Sequence, residues 1–210
     1  MPRAGLNTDR VVAEAAVMAD EVGLNRVTLA GLATRLGVRQ PSLYKHVESL
    51  DSLQQRIAVQ AKGELADVWG RAVMGRARDD ALVAMAHAYR TWAQAHPGRY
   101  VAAQRAPVPG NAEDEAVSAR AVQVVAAVID GYGLHGDEAI DAIRAFRAAL
   151  HGFVSLEAGG AFALRASVDR SFDRLIQALR MALSSWGDVC EPGSEMLHEQ
   201  KPKQEPKPEA

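Results

Sequence analysis

Residues 27–53 read VTLAGLATRLGVRQPSLYKHVESLDSL, and this stretch predicts two short helices separated by a glycine turn. The first helix is expected to begin after Thr28, whose hydroxyl can cap it, and to end at Gly37, where left-handed geometry is favoured. The second is expected over about residues 40–47, with Pro41 in its first turn, where the missing amide hydrogen costs no hydrogen bond. Two short helices joined by a tight turn form a helix-turn-helix motif.

The second helix of this motif sorts its side chains by polarity. With about 100° between successive residues, Leu43 and Val47 point inward and can pack on the preceding helix. Pro41 and Lys45 point roughly the opposite way. The outer face is therefore small, polar and basic, and it fits the major groove of duplex DNA.

The charge of the chain is unevenly distributed. Its 210 residues carry 24 Lys and Arg against 26 Asp and Glu, a formal net charge of −2. Residues 22–47 contain no Asp or Glu, and four basic residues give this stretch a local charge of +4: Arg26, Arg35, Arg39 and Lys45. A solvated helix face is the ordinary explanation of such a run. In a helix-turn-helix, however, the same run supplies cations that neutralise DNA phosphates.

Helical periodicity continues through the rest of the sequence, without sustained strand-like alternation. Ser49 is expected to cap a long linking helix, and His96-Pro97-Gly98 is expected to end the helix after it. The helix that begins at Asp137 is apolar nearly all round, which predicts burial on more than one side. Other expected helix starts are Asn7 or Thr8, Asp79 or Asp80, and Ser167. The pattern predicts an all-α fold of three short helices, the linking helix and a four- or five-helix domain.

The chemistry-bearing residues form no catalytic or metal-binding pattern. Cys190 is the only cysteine, so an intramolecular disulfide is excluded and a thiolate zinc cluster is disfavoured. None of the 6 histidines has another three or four residues away, and the phosphate-loop, GxSxG and HExxH patterns are missing. The sequence therefore predicts a protein that is not an enzyme and needs no metal or cofactor.

The sequence also predicts a cytoplasmic location. Its opening residues, MPRAGLNTDR, lack the apolar segment of a secretory signal. Apolar runs such as residues 124–129 are far too short to cross a bilayer. We therefore expect no membrane partner.

The opening stretch, preceded by AAVMADEVGL at residues 15–24, resembles the DNA-binding domain of TetR-family transcriptional regulators. The match covers about residues 6–57 and includes the Thr-Leu-x-x-Leu-Ala-x-x-Leu-Gly-Val core and the Pro-Ser-Leu-Tyr-x-His-Val helix. The resemblance implies phosphate contacts by Thr28 and Tyr44, with His46 beside them. It also implies that a second group lies at or near base edges: Arg39, Gln40, Pro41, Ser42 and Lys45.

Two positions depart from the family's pattern. Many members carry a lysine where this chain has Leu50, so one phosphate contact is expected to be missing. Ala30 and Gly31 stand where the tetracycline repressor reads a base with an arginine. The operator sequence of that repressor therefore does not transfer to this chain.

The C-terminal half carries a second resemblance. HPGRY at residues 96–100 and LHGFVSL at residues 150–156 are similar to the WHG-type effector domain of TetR regulators, without the tryptophan expected before the His-Gly pair. A pocket in such a domain would lie between the middle helices. The candidate lining residues, each with core packing as its alternative, are Tyr89, Trp92, Tyr100, Phe146, His151 and Phe153.

The last helix carries a long apolar stripe, formed by Phe172, Leu175, Ile176, Leu179 and Leu183. The resemblance implies that the last two helices make a four-helix dimer interface. The residues alone leave a monomeric core as an equal alternative.

Three segments are predicted along the chain. Residues 1–50 form a three-helix DNA-binding domain with the helix-turn-helix, and a long helix joins it to a helical effector-binding and dimerisation domain at residues 51–187. Residues 188–210 contain four prolines and six acidic residues against three lysines, a composition typical of a disordered tail.

The resemblance implies a ligand-responsive repressor with three partners: duplex DNA, a second copy of the chain and a small-molecule effector. Because one recognition helix is too small for tight specific binding, we expect a two-fold dimer on a palindromic operator. Effector binding would change the separation of the two recognition helices through the linking helix. The alternatives are a helical ligand-binding or catalytic domain with an incidental helix-turn-helix, an activator, and a regulator that responds to a partner protein.

Overall fold

Helices account for nearly all of the regular structure in the computed structural model, which describes residues 6–186. The α-helices are α1 (Thr8–Val22), α2 (Leu29–Leu36), α3 (Leu50–Val73), α4 (Arg78–Ala95), α5 (Pro97–Ala103), α6 (Ala112–Asp130), α7 (Gly136–Ala158) and α8 (Val168–Ser184). Short 3₁₀ helices span Leu24–Arg26 and Gln40–Lys45. No strand occurs between residues 6 and 186, so the predicted all-α fold is confirmed for that range. The predicted disordered tail lies outside it.

The N-terminal helices begin where the sequence places caps. Asn7, Thr28 and Ser49 each accept a hydrogen bond from the main-chain amide three residues later. These bonds satisfy amides that a helix start leaves without a partner. Gly37 ends α2 with a φ of 66°, a left-handed conformation that favours glycine.

Two clusters of buried apolar side chains form the interior, and α3 contributes to both. The N-terminal core joins α1, α2, the Gln40–Lys45 segment and the first part of α3, with Leu32, Leu43 and Ile57 fully buried. The C-terminal core joins the remainder of α3 to α4, α6, α7 and α8, around Leu82, Phe146 and Phe172. Each such side chain contributes about 1.5–3 kcal/mol by leaving water.

A short helix, α5, lies where the sequence analysis expected only a helix end. His96 terminates α4, but Pro97 then occupies the first turn of α5, a position at which proline is tolerated. The predicted end of α4 is therefore confirmed, but α5 was not predicted, because the Pro-Gly pair that follows one helix here also lies in the first turn of the next. α5 packs against α1, α3 and α4.

The start of α4 also differs from the expectation. The helix begins at Arg78 without a side-chain cap, so neither Asp79 nor Asp80 caps it. Asp79 instead accepts hydrogen bonds from the Tyr132 hydroxyl at 2.7 Å and from Arg180 of α8 at 2.5 Å. Hydrogen bonds from Arg180 and Tyr132 lower the pKa of the Asp79 carboxyl.

α7 is buried on one side only. Ala142, Phe146, Leu150 and Val154 are its buried residues, whereas Ile140 and Leu156 remain 45% and 50% exposed. The expectation of burial on several sides is therefore wrong for the single chain. Its outer apolar surface is open to solvent.

None of the helices within residues 6–186 combines the length and apolarity needed to span a bilayer.

Candidate nucleic-acid interface and cavity

The recognition segment, Gln40–Lys45, presents polar groups on one side and a buried anchor on the other. Leu43 is fully buried in the N-terminal core, and Val47 joins it there. The segment is a 3₁₀ helix, not the α-helix assumed from the sequence. Because side chains three residues apart eclipse in a 3₁₀ helix, Pro41 and Tyr44 lie on the same side.

All eight predicted DNA-contacting side chains reach the surface. Five are exposed and three are half-buried. The Thr28 hydroxyl accepts the Gly31 amide at 3.1 Å as the α2 cap, and the Gln40 side-chain amide donates to the Tyr44 hydroxyl at 3.4 Å. The exposed five are Thr28, Arg39, Pro41, Tyr44 and Lys45, and the half-buried three are Gln40, Ser42 and His46.

One of the four cations in this stretch is neutralised within the protein. The Arg35 guanidinium pairs with Glu14 and Glu21 of α1. The hydrogen bond from Arg35 lowers the pKa of the Glu21 carboxyl. The other three make no ion pair with any residue from 6 to 186: Arg26, Arg39 and Lys45. Arg35 therefore holds α2 against α1, and the other three cations remain without a carboxylate partner among residues 6–186.

Residue 31, near the start of α2, has no side chain to read a base, and a larger residue there would require the flexible Met18 side chain to move. A β-carbon on Gly31 would lie 2.8 Å from the Met18 methyl group and 3.1 Å from the Thr28 hydroxyl. Ala30, the neighbouring exposed residue, is too short to reach a base edge. Neither residue at the start of α2 therefore offers a side chain long enough to reach a base.

A polar cluster joins the start of α5 to α1 and α3. Asp20 of α1 accepts the Arg99 main-chain amide at 2.8 Å and its Nε at 2.7 Å, and the His96 ring lies 3.4 Å from the same carboxylate. Arg99 also donates to Glu64 of α3 at 2.9 Å. Burial lowers the pKa of Arg99, but the hydrogen bonds to Glu64 and Asp20 outweigh it and leave that pKa raised.

α5 contributes side chains to both cores. Ala102 is fully buried in the N-terminal core, whereas Tyr100 and Ala103 belong to the C-terminal core. The Tyr100 hydroxyl lies 2.6 Å from Nδ1 of His151 on α7. A movement of α7 can therefore reach α1 through one short helix.

A cavity of about 350 Å³ opens between α3, α4, α6, α7 and the end of α5. Its wall is largely apolar and includes Leu65, Val125 and Leu150, with Trp69 stacked on Tyr89 at a ring distance of 5.7 Å. A mostly apolar cavity with a few polar groups is the usual form of a small-molecule site. A more polar depression of about 440 Å³ between α1, α3 and α6 is lined by charges of both signs.

A buried ion pair lies beside this cavity. Lys62, which lines the wall, is 2.6 Å from Asp114 of α6, and the two residues are only 6% and 0% exposed. Asp114 also accepts hydrogen bonds from the Gln55 side chain at 2.5 Å and from the Val108 amide at 2.9 Å. Burial alone would raise the pKa of Asp114, but these partners, led by Lys62, leave it lowered.

Comparison with known proteins places the chain in a family. Residues 82–179 match the model of the tetracyclin repressor-like C-terminal domain. The chain is 41% identical over 158 residues to the HTH-type transcriptional regulator Rv0681 of Mycobacterium tuberculosis, covering 75% of this chain and 72% of that protein. It is 37% identical over 162 residues to the HTH-type transcriptional regulator YobS of Bacillus subtilis, covering 77% and 84%.

The chain belongs to the TetR family. It is therefore a DNA-binding transcriptional regulator, as the resemblance of the N-terminal motif implied. The fold agrees with a TetR structure from Acinetobacter baumannii AYE, solved in complex with minocycline. That likeness has a TM-score of 0.65 at 24% identity and covers 87% of this chain and 98% of the other.

The cavity of this TetR-family chain contains two of the six predicted lining residues, Tyr89 and Phe146. The other four lie outside its wall: Trp92, Tyr100, His151 and Phe153. Tyr100 and His151 are engaged with each other between α5 and α7. The Phe153 ring instead packs against Phe172, with ring centroids 5.0 Å apart.

Three residues predicted for the dimer interface are core residues of the single chain. Phe172, Ile176 and Leu183 lie on the inner side of α8 and are almost completely buried, so their side chains are not available to a partner. Leu175 and Leu179 are half-buried. The apolar periodicity of a helix cannot show whether it packs on the chain's own core or on a partner, because both kinds of packing need the same spacing of apolar residues.

Six cavity residues whose side chains carry hydrogen-bond donors were not predicted from the sequence: Lys62, Trp69, Gln104, Arg105, Ser118 and Arg147. Lys62, Leu65 and Trp69 follow an i, i+3, i+7 spacing, which places them on one face of α3. A lysine within an apolar helix face could therefore have indicated that this face lines a cavity. The sequence around Arg147 gives no such indication, because the position of Arg147 beside the cavity depends on how α7 packs.

No group of three or more His, Cys, Asp and Glu side chains suited to holding a metal ion occurs among residues 6–186.

Proposed function

We propose that this regulator is a ligand-responsive repressor that binds a palindromic operator as a homodimer and releases it when a small molecule fills the cavity. The observation that carries the proposal is the position of α5. Its Ala102 lies in the N-terminal core, while Ala103 lies in the C-terminal core and on the cavity wall. The cavity thus shares one structural element with the core that supports the proposed DNA-binding surface.

In the proposed complex, the recognition segment enters the major groove. Thr28 and Tyr44 contact phosphates with His46 nearby, and Arg39 and Lys45 donate to guanine. Gln40 pairs with adenine, and Pro41 and Ser42 lie against the base edges. Each good base contact supplies about 1–3 kcal/mol of discrimination, whereas the phosphate contacts add affinity without sequence preference.

The proposed dimer forms through the outer faces of α7 and α8. On α7, the small residues Ala148, Gly152 and Ser155 share the side opposite the buried residues, and no atom lies within 4 Å of a β-carbon built on Gly152. On α8, Met181 is 65% exposed. Small residues permit the close approach of a second helix, and burying the exposed apolar groups supplies the driving force.

Release of the operator requires that the effector bind one arrangement of the dimer more tightly than the other. Two connections can carry that preference from the cavity to the DNA-binding surface. The first is α3, whose Lys62 and Leu65 line the cavity and whose Leu53 and Ile57 lie in the N-terminal core. The second is α5, anchored on α1 by the Asp20 carboxylate.

The proposal is tested with the DNA that co-purifies with the full chain, whose sequencing identifies the operator. The double variant Tyr44→Ala/Lys45→Ala is expected to lose operator binding in gel shifts at physiological salt, with its melting temperature and oligomeric state unchanged. The variant Arg76→Ala, which removes an exposed cation between α3 and α4, is the control. Retained binding by the double variant would favour a helical ligand-binding or catalytic domain with an incidental helix-turn-helix.

The direction of regulation is tested separately with promoter fusions in a deletion strain. A repressor gives higher expression from its target promoter after deletion. Lower expression would identify an activator.

A further inference from the structure

We propose that the effector is an amphipathic organic anion, with a compact apolar body and one acidic group such as a carboxylate. This inference rests on the proposed function, because it assigns a chemical class to the molecule that fills the same cavity. It depends on the charge of the wall, on two donors without partners and on the apolar remainder of the site.

The cavity wall carries positive charge only. Lys62, Arg105 and Arg147 line it, and none of its described lining residues is an Asp or Glu. This composition contrasts with the depression between α1, α3 and α6, where four carboxylates face two arginines. It also contrasts with the chain as a whole, whose net charge is −2. A concave, low-dielectric site lined by one sign of charge attracts ligands of the other sign.

Arg147 is the cation of this wall that lacks a partner. Lys62 is paired with Asp114, and Arg105 is paired with Asp51 at 2.8 Å. Arg147 makes no ion pair or hydrogen bond with residues 6–186. A guanidinium presents planar paired donors that match a carboxylate, so Arg147 is the group best placed to bind an acid.

The second free donor is the indole of Trp69. This residue is only 8% exposed, and its Nε1 has no hydrogen-bond partner among the described residues. A buried donor without an acceptor costs about 1–3 kcal/mol, so such groups usually find one. An acceptor oxygen brought by a ligand into the cavity would satisfy it.

The remainder of the wall suits an apolar body. Ile143, Phe146 and Leu150 of α7 face Leu65 and the Trp69 ring of α3 across the cavity. A volume of about 350 Å³ lies at the lower end of the range for small-molecule sites, which favours a compact ligand.

The test compares ligands that share a body and differ in charge. The probes are 2-naphthoic acid, 2-naphthamide and 2-naphthylmethylamine, with decanoic acid and decanamide as an aliphatic pair, titrated into the full chain by calorimetry without DNA. We expect at least one acid to bind at least tenfold more tightly than its amide, and the amine to bind most weakly.

Three variants assign the contacts. Arg147→Gln is expected to weaken acid binding at least tenfold and to leave amide binding unchanged. Arg144→Gln is the matched control, because Arg144 is exposed one turn away on α7 and does not line the cavity. Trp69→Phe keeps an aromatic ring but removes the indole donor, so it is expected to weaken acid and amide binding alike by severalfold.

The anion assignment is overturned if the amides or the amine bind as tightly as the acids. It is also overturned if neither acid binds with a Kd below about 1 mM. Unchanged acid affinity in the Arg147→Gln variant would overturn it as well. None of these results bears on operator binding, which is measured without ligand. An acid that binds through Arg147 but does not release the operator would instead overturn the proposed induction and leave the anion assignment standing.

Discussion

A β-carbon on Gly98 would lie 2.1 Å from the main-chain carbonyl oxygen of Ala19. α5 and α1 therefore meet backbone to backbone, at a distance that only glycine permits. Real β-carbons do not approach within 3.0 Å of another heavy atom, and a carbonyl of α1 cannot move aside as a flexible side chain can. The contact fixes how the helix beside the cavity is held against the DNA-binding helices.

Substitution of this glycine is expected to separate the two helices. Gly98→Ala should lower the free energy of unfolding by at least about 1–3 kcal/mol, the usual cost of overpacking. It should also weaken operator binding, because α1 supports α2 and the recognition segment. Chemical denaturation and gel shifts measure the two effects.

Gly70→Ala is the matched control for this change. Gly70 lies within α3, and no atom lies within 4 Å of a β-carbon built on it. Alanine there should stabilise the helix by about 0.5–1 kcal/mol. Equal stability of the two variants would contradict the close contact between α1 and α5.

The position of each cation, more than the total charge, should determine the salt dependence of DNA binding. Lys45→Gln is expected to reduce the slope of log K against log salt by up to about 0.9 per subunit, because it removes from the proposed DNA-facing surface a cation that no carboxylate of residues 6–186 neutralises. Arg35→Gln changes the formal charge equally, but Arg35 is already paired with Glu14 and Glu21. The slope of log K against log salt for Arg35→Gln should therefore stay close to that of the unsubstituted chain. Equal slope changes in titrations of the two variants would contradict this assignment.

Removal of the Asp114 charge should be costly at neutral pH. Asp114→Asn leaves Lys62 buried without its partner, so a loss of about 3–5 kcal/mol of unfolding free energy is expected. Asp141→Asn, which affects an exposed pair with Arg144, should cost less than about 1 kcal/mol.

The contribution of Asp114 to the free energy of unfolding should also depend on pH, and it should decrease as the solution becomes more acidic. Because the folded state lowers the pKa of Asp114 below its ordinary 3.8, the stabilisation is present above that value and is lost as the pH falls through the lowered pKa. The difference in unfolding free energy between the unsubstituted chain and Asp114→Asn should therefore shrink below about pH 3.8. A difference that stays constant as the pH falls through this range would exclude the ionised carboxylate as its source.

The proposed dimer surface is tested by adding bulk and charge to an exposed small residue. Ala148→Arg on α7 should produce monomers in analytical ultracentrifugation, since the side chain would stand in the interface without disturbing the core. Ala127→Arg, at an exposed position on α6, should leave the oligomeric state unchanged. Dimers of Ala148→Arg with unaltered affinity would place the interface elsewhere.

Features encoded locally could be predicted from the sequence. The caps at Asn7, Thr28 and Ser49 and the left-handed Gly37 each depend on one residue and its near neighbours. The inward direction of Leu43 follows from the same local pattern. These features suffice for the helix-turn-helix, because that motif is built from short-range geometry.

Features that depend on distant contacts could not be predicted in this way. The Pro-Gly pair before Arg99 indicates a helix end, and only the contact of Gly98 with α1 reveals why a helix forms there. The apolar stripe of α8 fitted a dimer interface and a monomeric core equally well, and only the packing of the helices shows that Phe172 faces the chain's own core. The cavity was likewise located only in part, because its donors come from different helices.

The division of the cavity wall has a consequence for how such regulators diverge. Wall residues on α6 and α7, such as Val122 and Ile143, belong to helices that give no side chain to the N-terminal core. Substitutions there can change ligand preference during evolution and leave operator recognition untouched. The α3 and α5 side of the wall lacks this freedom, since every change in those helices is also a change in the support of the DNA-binding surface. Regulators with new inducers should therefore differ mainly on the α6 and α7 side of the cavity, while the α3 and α5 side is conserved because it supports the DNA-binding surface.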